Sequence, residues 1–138
     1  HAYHRRQRQM CIRDRYSTDV CLPISKITEC VNFAEVETKK LGLRAPMVGH
    51  LGDGNFHVIL PYDPKEEGTY DKIRDFSDLL INKTLELNGT ITGEHGVGLH
   101  KKAYLLKEHG DSIPLMKSIK KSIDQNNIMN PGKIFDLN

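Results

Sequence analysis

The stretch GHLGDGNFH, residues 49–57, places two histidines on either side of a turn motif. An Asp-Gly pair between strand-like residues is a strong short-range indicator of a β-hairpin with a two-residue turn. If Asp53 and Gly54 form the centre of that turn, His50 and His57 become direct cross-strand partners. Their Cβ atoms would then lie about 4.5–5.5 Å apart on one face of the hairpin. Two imidazoles at that separation can share one metal ion, although histidine pairs on strands are also found as ordinary hydrogen-bonded polar residues.

The same hairpin assigns the remaining side chains of the stretch to two faces. Successive residues of a strand point to opposite sides, so Asn55 shares the face of the two histidines. Leu51, Phe56 and Val58 point the other way and are predicted to enter the core. The hairpin is therefore expected to present one polar face and one apolar face.

A second motif, GTITGEHGVG at residues 89–98, offers a third ligand. A catalytic zinc takes three protein ligands and keeps one position open, so a histidine pair alone is insufficient. Glu94 supplies a carboxylate and His95 a further imidazole, and the flanking glycines allow both to enter one site. An alternative is a phosphate-binding loop in front of a helix, with Lys101 and Lys102 as anion partners. The carboxylate of Glu94 argues against that alternative, because it would repel phosphate.

Helices and further strands are predicted around these two motifs. Residues 18–25 form a short strand, and a helix capped by Ser25 continues to about residue 41 before Gly42. A long helix covers residues 69–88, with apolar residues on one face and Gly89 beyond its end. Two further helices cover residues 99–109 and 112–126, and Pro131 ends helical structure. This order predicts an α+β fold, with an antiparallel sheet and helices packed on one face. His100 and His109 fall on helical, exposed positions and are given no role in a site.

The charge of the chain is unevenly distributed. The formal net charge is +2, but residues 1–15 hold five arginines and one aspartate, which leaves −2 on the remaining residues. We interpret residues 1–15 as a non-native leader; a nucleic-acid-binding or targeting arm is the alternative. The body of the chain lacks the basic excess of a nucleic-acid-binding domain.

The cellular location is predicted from the targeting and membrane-spanning segments that the sequence lacks. No apolar run approaches the roughly 20 residues of a transmembrane helix, and no signal peptide is evident. The three cysteines form no CxxC pair and indicate reduced thiols. We therefore expect a cytoplasmic protein without a transmembrane segment, with peripheral attachment to an inner membrane as an alternative.

Three motifs in this order resemble one enzyme family: GHLGDGNFH, GTITGEHGVG and NIMNPGKIF. The chain is similar to the C-terminal part of the FAD-linked 2-hydroxy-acid dehydrogenases, which include D-lactate dehydrogenase, the glycolate oxidase flavin subunit and D-2-hydroxyglutarate dehydrogenase. The resemblance covers nearly everything after the leader. It implies that residues 16–138 form part of a ferredoxin-like C-terminal domain that binds substrate and metal, truncated and without the FAD-binding domain.

The resemblance also implies roles for individual residues. His50, His57 and Glu94 correspond to the ligands of a divalent metal, zinc or manganese. His95 corresponds to the histidine beside the flavin and substrate, the proposed base, and Asn55 to the asparagine at the substrate. The implied reaction is oxidation of a small D-2-hydroxy acid of the D-lactate or glycolate type, with hydride transfer to FAD. A quinone, a cytochrome or an electron-transfer flavoprotein would then accept the electrons.

Two other functions remain open from the residues alone. A metal-dependent hydrolase could use the same His-His-Glu set to activate water, with His95 as the general base. A metal-stabilised interaction module without enzymatic activity could use it for folding only.

Overall fold

The computed structural model describes residues 14–137, so most of the predicted leader lies outside the described residues. The strands of the described part are β1 (Asp14–Ser17), β2 (Val20–Cys21), β3 (Met47–Val48) and β4 (Asn55–Tyr62). The α-helices there are α1 (Ile24–Lys40), α2 (Thr69–Glu86), α3 (Lys102–His109) and α4 (Ile113–Ile123), with 3-10 turns at Leu51–Asp53 and Gly110–Ser112.

Strand β4 is the centre of the sheet, and all its pairings are antiparallel. Strands β1 and β2 pair with it in one continuous register, in which Ser17 is opposite Ile59 and Val20 is opposite Phe56. Asp19, between these two strands, therefore comes opposite His57. Strand β3 also pairs with β4, where Val48 is the partner of His57.

The core lies between one face of the sheet and helices α1 and α2. Strand β4 alternates as expected for a half-buried strand, with its even-numbered residues 56, 58 and 60 buried. The buried side chains that surround them come from both helices and include Ile27, Cys30, Ala34, Ile73, Phe76 and Leu80. The α+β prediction is confirmed, because an antiparallel sheet carries helices on one face. The opposite face of β4, with His57 and Ile59, is left open.

The predicted helices exist, and their ends differ in detail. Helix α1 begins at Ile24 with Pro23 at the N-cap position, and no side chain caps it, so the cap predicted at Ser25 was wrong. Its end is as predicted, with Gly42 at a φ of 69°. Helix α2 ends two residues early, because Asn88 rather than Gly89 adopts the left-handed conformation that stops it.

The predicted register of the hairpin was wrong. A 3-10 turn and Gly54, with φ at 82°, form a loop of four residues, so His57 faces Val48 instead of His50. The cause lies outside the hairpin. The amide of Leu22 donates to the carbonyl of Gly54 at 2.9 Å, and a Cβ on Gly54 would lie 2.1 Å from the carbonyl oxygen of Leu22. Contact with the segment after β2 thus fixes Gly54, and Leu51, predicted to enter the core, is 54% exposed.

Within residues 14–137, the structure contains no helix with the length and apolar character needed to cross a bilayer.

Candidate metal and substrate site

His57 projects from β4 onto the open face of the sheet. Its side chain is only 12% exposed, and its Nδ1 lies 3.0 Å from the carbonyl oxygen of Thr18. A carbonyl only accepts hydrogen bonds, so Nδ1 carries the hydrogen and donates it. In the neutral ring, Nε2 then holds a lone pair. That lone pair is directed at the carboxylate of Glu94, whose Oε1 is 3.1 Å away.

Glu94 and His95 lie in a tight turn that the amide of Gly96 closes on the carbonyl of Thr92 at 2.8 Å. Gly93 and Gly96 have φ values of 53° and 74°, a conformation that suits glycine. The turn brings the side chains of Glu94 and His95 close to each other and to His57, and their common role in one site stays a prediction. Glu94 Oε1 is 3.6 Å from His95 Nε2 as well as 3.1 Å from His57 Nε2.

The three side chains therefore form a compact set of donor atoms. Ligating atoms of His57, Glu94 and His95 all lie within 4.8 Å of one another. A carboxylate oxygen and an imidazole lone pair repel each other at 3.1 Å unless a proton or a cation lies between them. Neighbouring ligand atoms around a tetrahedral zinc are about 3.3 Å apart, since each is about 2.0–2.2 Å from the metal. The 3.1 Å between His57 Nε2 and Glu94 Oε1 is close to that spacing, and the nitrogen and oxygen donors suit zinc.

His50 is the predicted ligand that the structure does not bring into this set. It is exposed and precedes the 3-10 turn, where its carbonyl accepts from the amides of Asp53 and Asn55. In the observed register a strand continued to residue 50 would make His50 a diagonal neighbour of His57. Diagonal neighbours lie about 7–8 Å apart, within reach of long side chains.

Asn55 is buried beneath the site, only 5% exposed. Its Nδ2 donates to Asp19 Oδ1 at 2.8 Å and to the carbonyl of Val20 at 3.1 Å. Both partners are acceptors, which fixes the orientation of the amide. Its Oδ1 is buried without a protein partner among the described residues. The only atom that Asn55 has left for a ligand is thus an acceptor.

Asp19 is the residue of this region that the sequence patterns missed. Its carboxylate accepts from the amide of His95 at 2.9 Å and the amide of Glu94 at 3.3 Å, as well as from Asn55. Burial alone would raise the pKa of Asp19, but these three hydrogen bonds and the charge of Lys101 outweigh it and lower the pKa. The one available indication was a carboxylate within an apolar strand pattern, since such a residue is rarely buried without partners.

The two lysines that would serve a phosphate loop are engaged elsewhere. Lys101 Nζ donates to the backbone carbonyls of Asp19 and Ile91, and burial lowers its pKa. Lys102 pairs with Asp136 at 2.7 Å. Neither ammonium group is directed at a vacant anion site, so the phosphate-binding alternative is not supported.

A cavity of about 330 Å³ opens over the site on the free face of the sheet. His57 and His95 line it together with Arg15, Ser17, Val48 and Ile59. Its walls combine guanidinium, imidazole, hydroxyl and aliphatic groups. Its size suits a small organic acid better than a macromolecule.

Known proteins resemble this chain over most of its length. The sequence profile described as "FAD linked oxidases, C-terminal domain" matches residues 13–134. The chain is 41% identical over 123 residues to a probable mitochondrial D-lactate dehydrogenase of Danio rerio, covering 88% of this chain and 25% of the relative. It is 41% identical over 119 residues to the mitochondrial D-lactate dehydrogenase [cytochrome] of Arabidopsis thaliana, covering 86% and 21%. It is 36% identical over 118 residues to glycolate oxidase subunit GlcD of Bacillus subtilis, covering 85% and 25%.

The chain thus spans about a quarter of the length of these relatives. The profile begins just before β1, and it includes the first two motifs noted in the sequence and all of the third except Phe135. The match is to a family of oxidases, and not to one of metal-dependent hydrolases or of non-enzymatic modules. The chain belongs to the family of C-terminal domains of FAD linked oxidases.

Proposed function

We propose that this chain is the substrate- and metal-binding part of a flavin-dependent dehydrogenase of D-2-hydroxy acids, of the D-lactate or glycolate type. The observation that carries the proposal is the Glu94 carboxylate between the imidazoles of His57 and His95, beneath a cavity of small-molecule size. The names of the relatives support the substrate class. Because the chain spans only about a quarter of those relatives, we expect FAD to be bound mainly by other parts of the enzyme.

A divalent metal, zinc or manganese, would be held by His57 and Glu94. The lone pair of His57 Nε2 facing a carboxylate is the structural reason for placing a cation there. His50 is the third ligand that the family resemblance implies. Its side chain would have to change conformation to reach the metal. Bound there, the metal would supply a Lewis acid that lowers the pKa of the substrate hydroxyl.

His95 would act as the general base. Its side chain is 71% exposed and lines the cavity, so it can meet a substrate from the open side. Oxidation of a 2-hydroxy acid removes the hydroxyl proton and the hydrogen on C2 as hydride, leaving a 2-keto acid. His95 would accept the proton, and FAD, when bound, supplies the acceptor for the hydride. The resemblance places Asn55 at the substrate, but its unpaired Oδ1 is buried, so the groups that cover it would have to move before it could accept a hydrogen bond from a substrate.

The electron acceptor stays open among a quinone, a cytochrome and an electron-transfer flavoprotein. The name of the Arabidopsis thaliana relative includes a cytochrome, which favours that candidate for this protein. A cytoplasmic location, or a peripheral one at an inner membrane, stays a prediction.

Rapid mixing of the full-length, FAD-loaded gene product with D-lactate or glycolate tests the proposal. We expect one of these acids to bleach the flavin absorbance, and His95→Ala to slow that bleaching by about 10²- to 10⁴-fold. His100→Ala is the matched control, since His100 is exposed and outside the cluster. If neither acid reduces the flavin, the substrate class is wrong, and if His95→Ala reduces it at the wild-type rate, His95 is not the base.

A further inference from the structure

We propose that Asp19 is the positioning residue of this site, the group that holds the Glu94–His95 turn against strand β4 in the arrangement that binds the cation. The inference rests on the proposed metal site, and it concerns a residue given no role by the sequence patterns. Asp19 is 5% exposed, and it lies opposite His57 in the register that β1 and β2 share.

The Asp19 carboxylate uses both oxygens to fix the turn. Oδ2 accepts from the amide of His95 at 2.9 Å, and Oδ1 accepts from the amide of Glu94 at 3.3 Å. These are the two backbone amides of the residues whose side chains make up the site. Hydrogen bonds from backbone amides to an ionised acceptor are among the stronger ones in proteins.

The same carboxylate is tied to the strand that carries His57. Asn55, two residues before His57 on β4, donates to Asp19 Oδ1 at 2.8 Å. His57 Nδ1 itself is 3.5 Å from that oxygen. One carboxylate therefore connects the two segments that provide His57 and Glu94, which are 37 residues apart in the chain.

Gly93 shows how closely the turn is fitted to this carboxylate. A Cβ built on Gly93 would lie 1.9 Å from Asp19 Oδ1 and 2.1 Å from its Cγ. Any side chain at position 93 would therefore displace the acceptor from the amides that it holds. The backbone crosses Asp19 at a distance that only glycine permits.

Asp19→Asn is the informative substitution because it keeps the shape of the side chain. Every observed hydrogen-bond partner of the two carboxylate oxygens is an N–H donor, from His95, Glu94 and Asn55. An asparagine at this position places an NH₂ group where one of the carboxylate oxygens was. In either orientation of the amide, that NH₂ group faces an N–H donor and cannot accept its hydrogen bond. Loss of such supporting contacts around a metal site typically weakens metal binding by about 10- to 100-fold.

Asp124→Asn is the matched control. Asp124 is 6% exposed, and it too accepts two backbone amides, from Ile128 and Met129, at 3.0 and 2.9 Å. It directly follows helix α4, and its hydrogen bonds join it to Lys120, Ile128 and Met129, which lie outside the site. This control separates loss of a buried carboxylate in general from loss of this one.

Two measurements on the full 138-residue chain test the inference. The first is the affinity for Zn²⁺ and for Mn²⁺, by competition with a chromophoric chelator. The second is amide hydrogen exchange in the absence of metal. We expect Asp19→Asn to weaken Zn²⁺ binding by about 10- to 100-fold and to speed exchange at Glu94 and His95 by at least about tenfold. Asp124→Asn should leave the Zn²⁺ affinity unchanged, and it should not speed exchange at Glu94 and His95 relative to the other amides of the chain.

The outcomes separate this inference from the proposed function. If wild type binds neither metal but Asp19→Asn still releases the Glu94 and His95 amides, the metal site is wrong and the positioning role stands. If those amides exchange alike in wild type and Asp19→Asn, the positioning role is wrong. It is also wrong if exchange speeds up across the whole chain in Asp19→Asn, because that result indicates general unfolding.

Discussion

His57 Nε2 lies 3.1 Å from Glu94 Oε1, although the two residues are 37 positions apart and belong to different motifs. His57 is held by strand β4 and Glu94 by the glycine-bounded turn, so neither motif alone creates the contact. The Nδ1 of His57 is already committed to the carbonyl of Thr18. The contact therefore depends on a cation between the two groups, either a proton on Nε2 or the metal proposed above.

The first prediction assigns the histidine ligands. His57→Ala should lower Zn²⁺ affinity by at least about 100-fold, because it removes a ligand and not only a supporting contact. We expect His50→Ala to weaken Zn²⁺ binding as well, because His50 is the proposed third ligand. His95→Ala should leave Zn²⁺ binding unchanged, because His95 is the proposed base and not a ligand. Elemental analysis of the purified variants and chelator competition measure the effect, with His109→Ala as the control. Severe loss in His95→Ala with none in His50→Ala would make His95 the third ligand and remove it as the base.

The second prediction concerns Gly93. Gly93→Ala should weaken Zn²⁺ binding by at least about tenfold, because its φ is 53° and its Cβ would collide with the carboxylate of Asp19. Gly98→Ala is the control, since a Cβ there meets nothing within 4 Å and no positive φ is required. Isothermal titration with Zn²⁺ compares the two variants. Equal affinities for Gly93→Ala and wild type would show that the turn can shift without harm to the site.

Much of the fold could be predicted because it follows from periodicity. Ile27, Cys30 and Ala34 repeat at helical spacing and are buried, and Phe56 and Val58 on strand β4 are buried as predicted. These patterns report which face of an element meets the core, and burial of apolar surface is what the fold depends on most. They contain no information on how one element is shifted along another.

The site was predictable only in part for that same reason. The Asp-Gly pair indicated a two-residue turn, but a hydrogen bond between Leu22 and Gly54 selected a longer loop and moved His50 away from His57. That bond joins segments 32 residues apart, so no local pattern could predict it. The role of Asp19 was not predicted for the same reason, because its partners, the amides of Glu94 and His95, are 75 and 76 residues away in the chain.

The third prediction concerns an apolar surface formed by helix α4 and by residues 124–137, which follow it. Leu115, Ile119 and Ile123 of α4 are 65%, 51% and 75% exposed, and a largely apolar cavity of about 460 Å³ lies beside them. Exposed apolar surface of this kind favours association. We expect the 138-residue chain to self-associate at micromolar concentration, and Ile123→Lys to reduce that association. Sedimentation velocity measures it.

Ile24→Lys is the matched control for this surface, because Ile24 is 65% exposed on helix α1, away from α4. It should leave self-association as it is in wild type. A monomeric wild-type chain at high concentration would contradict the prediction. Equal effects of both substitutions would show that added charge, and not this surface, controls association.

The last prediction concerns acid stability and Asp124. The hydrogen bond from Lys120 is the main cause that lowers the pKa of Asp124, and the amides of Met129 and Ile128 act in the same direction. A carboxyl whose pKa is lower in the folded state stabilises the fold while it is ionised. That contribution is complete above the unfolded-state pKa of about 4 and is lost as the pH falls through the lower folded-state value.

Wild type should therefore unfold at a higher temperature than Asp124→Asn at pH 6, and the difference should shrink steadily below about pH 4. Thermal unfolding followed by circular dichroism from pH 6 to pH 2 measures both proteins. Since Asn cannot titrate, a constant difference across this range would mean that Asp124 contributes through its two hydrogen-bond acceptors, one of which Asn replaces with a donor, and not through its charge.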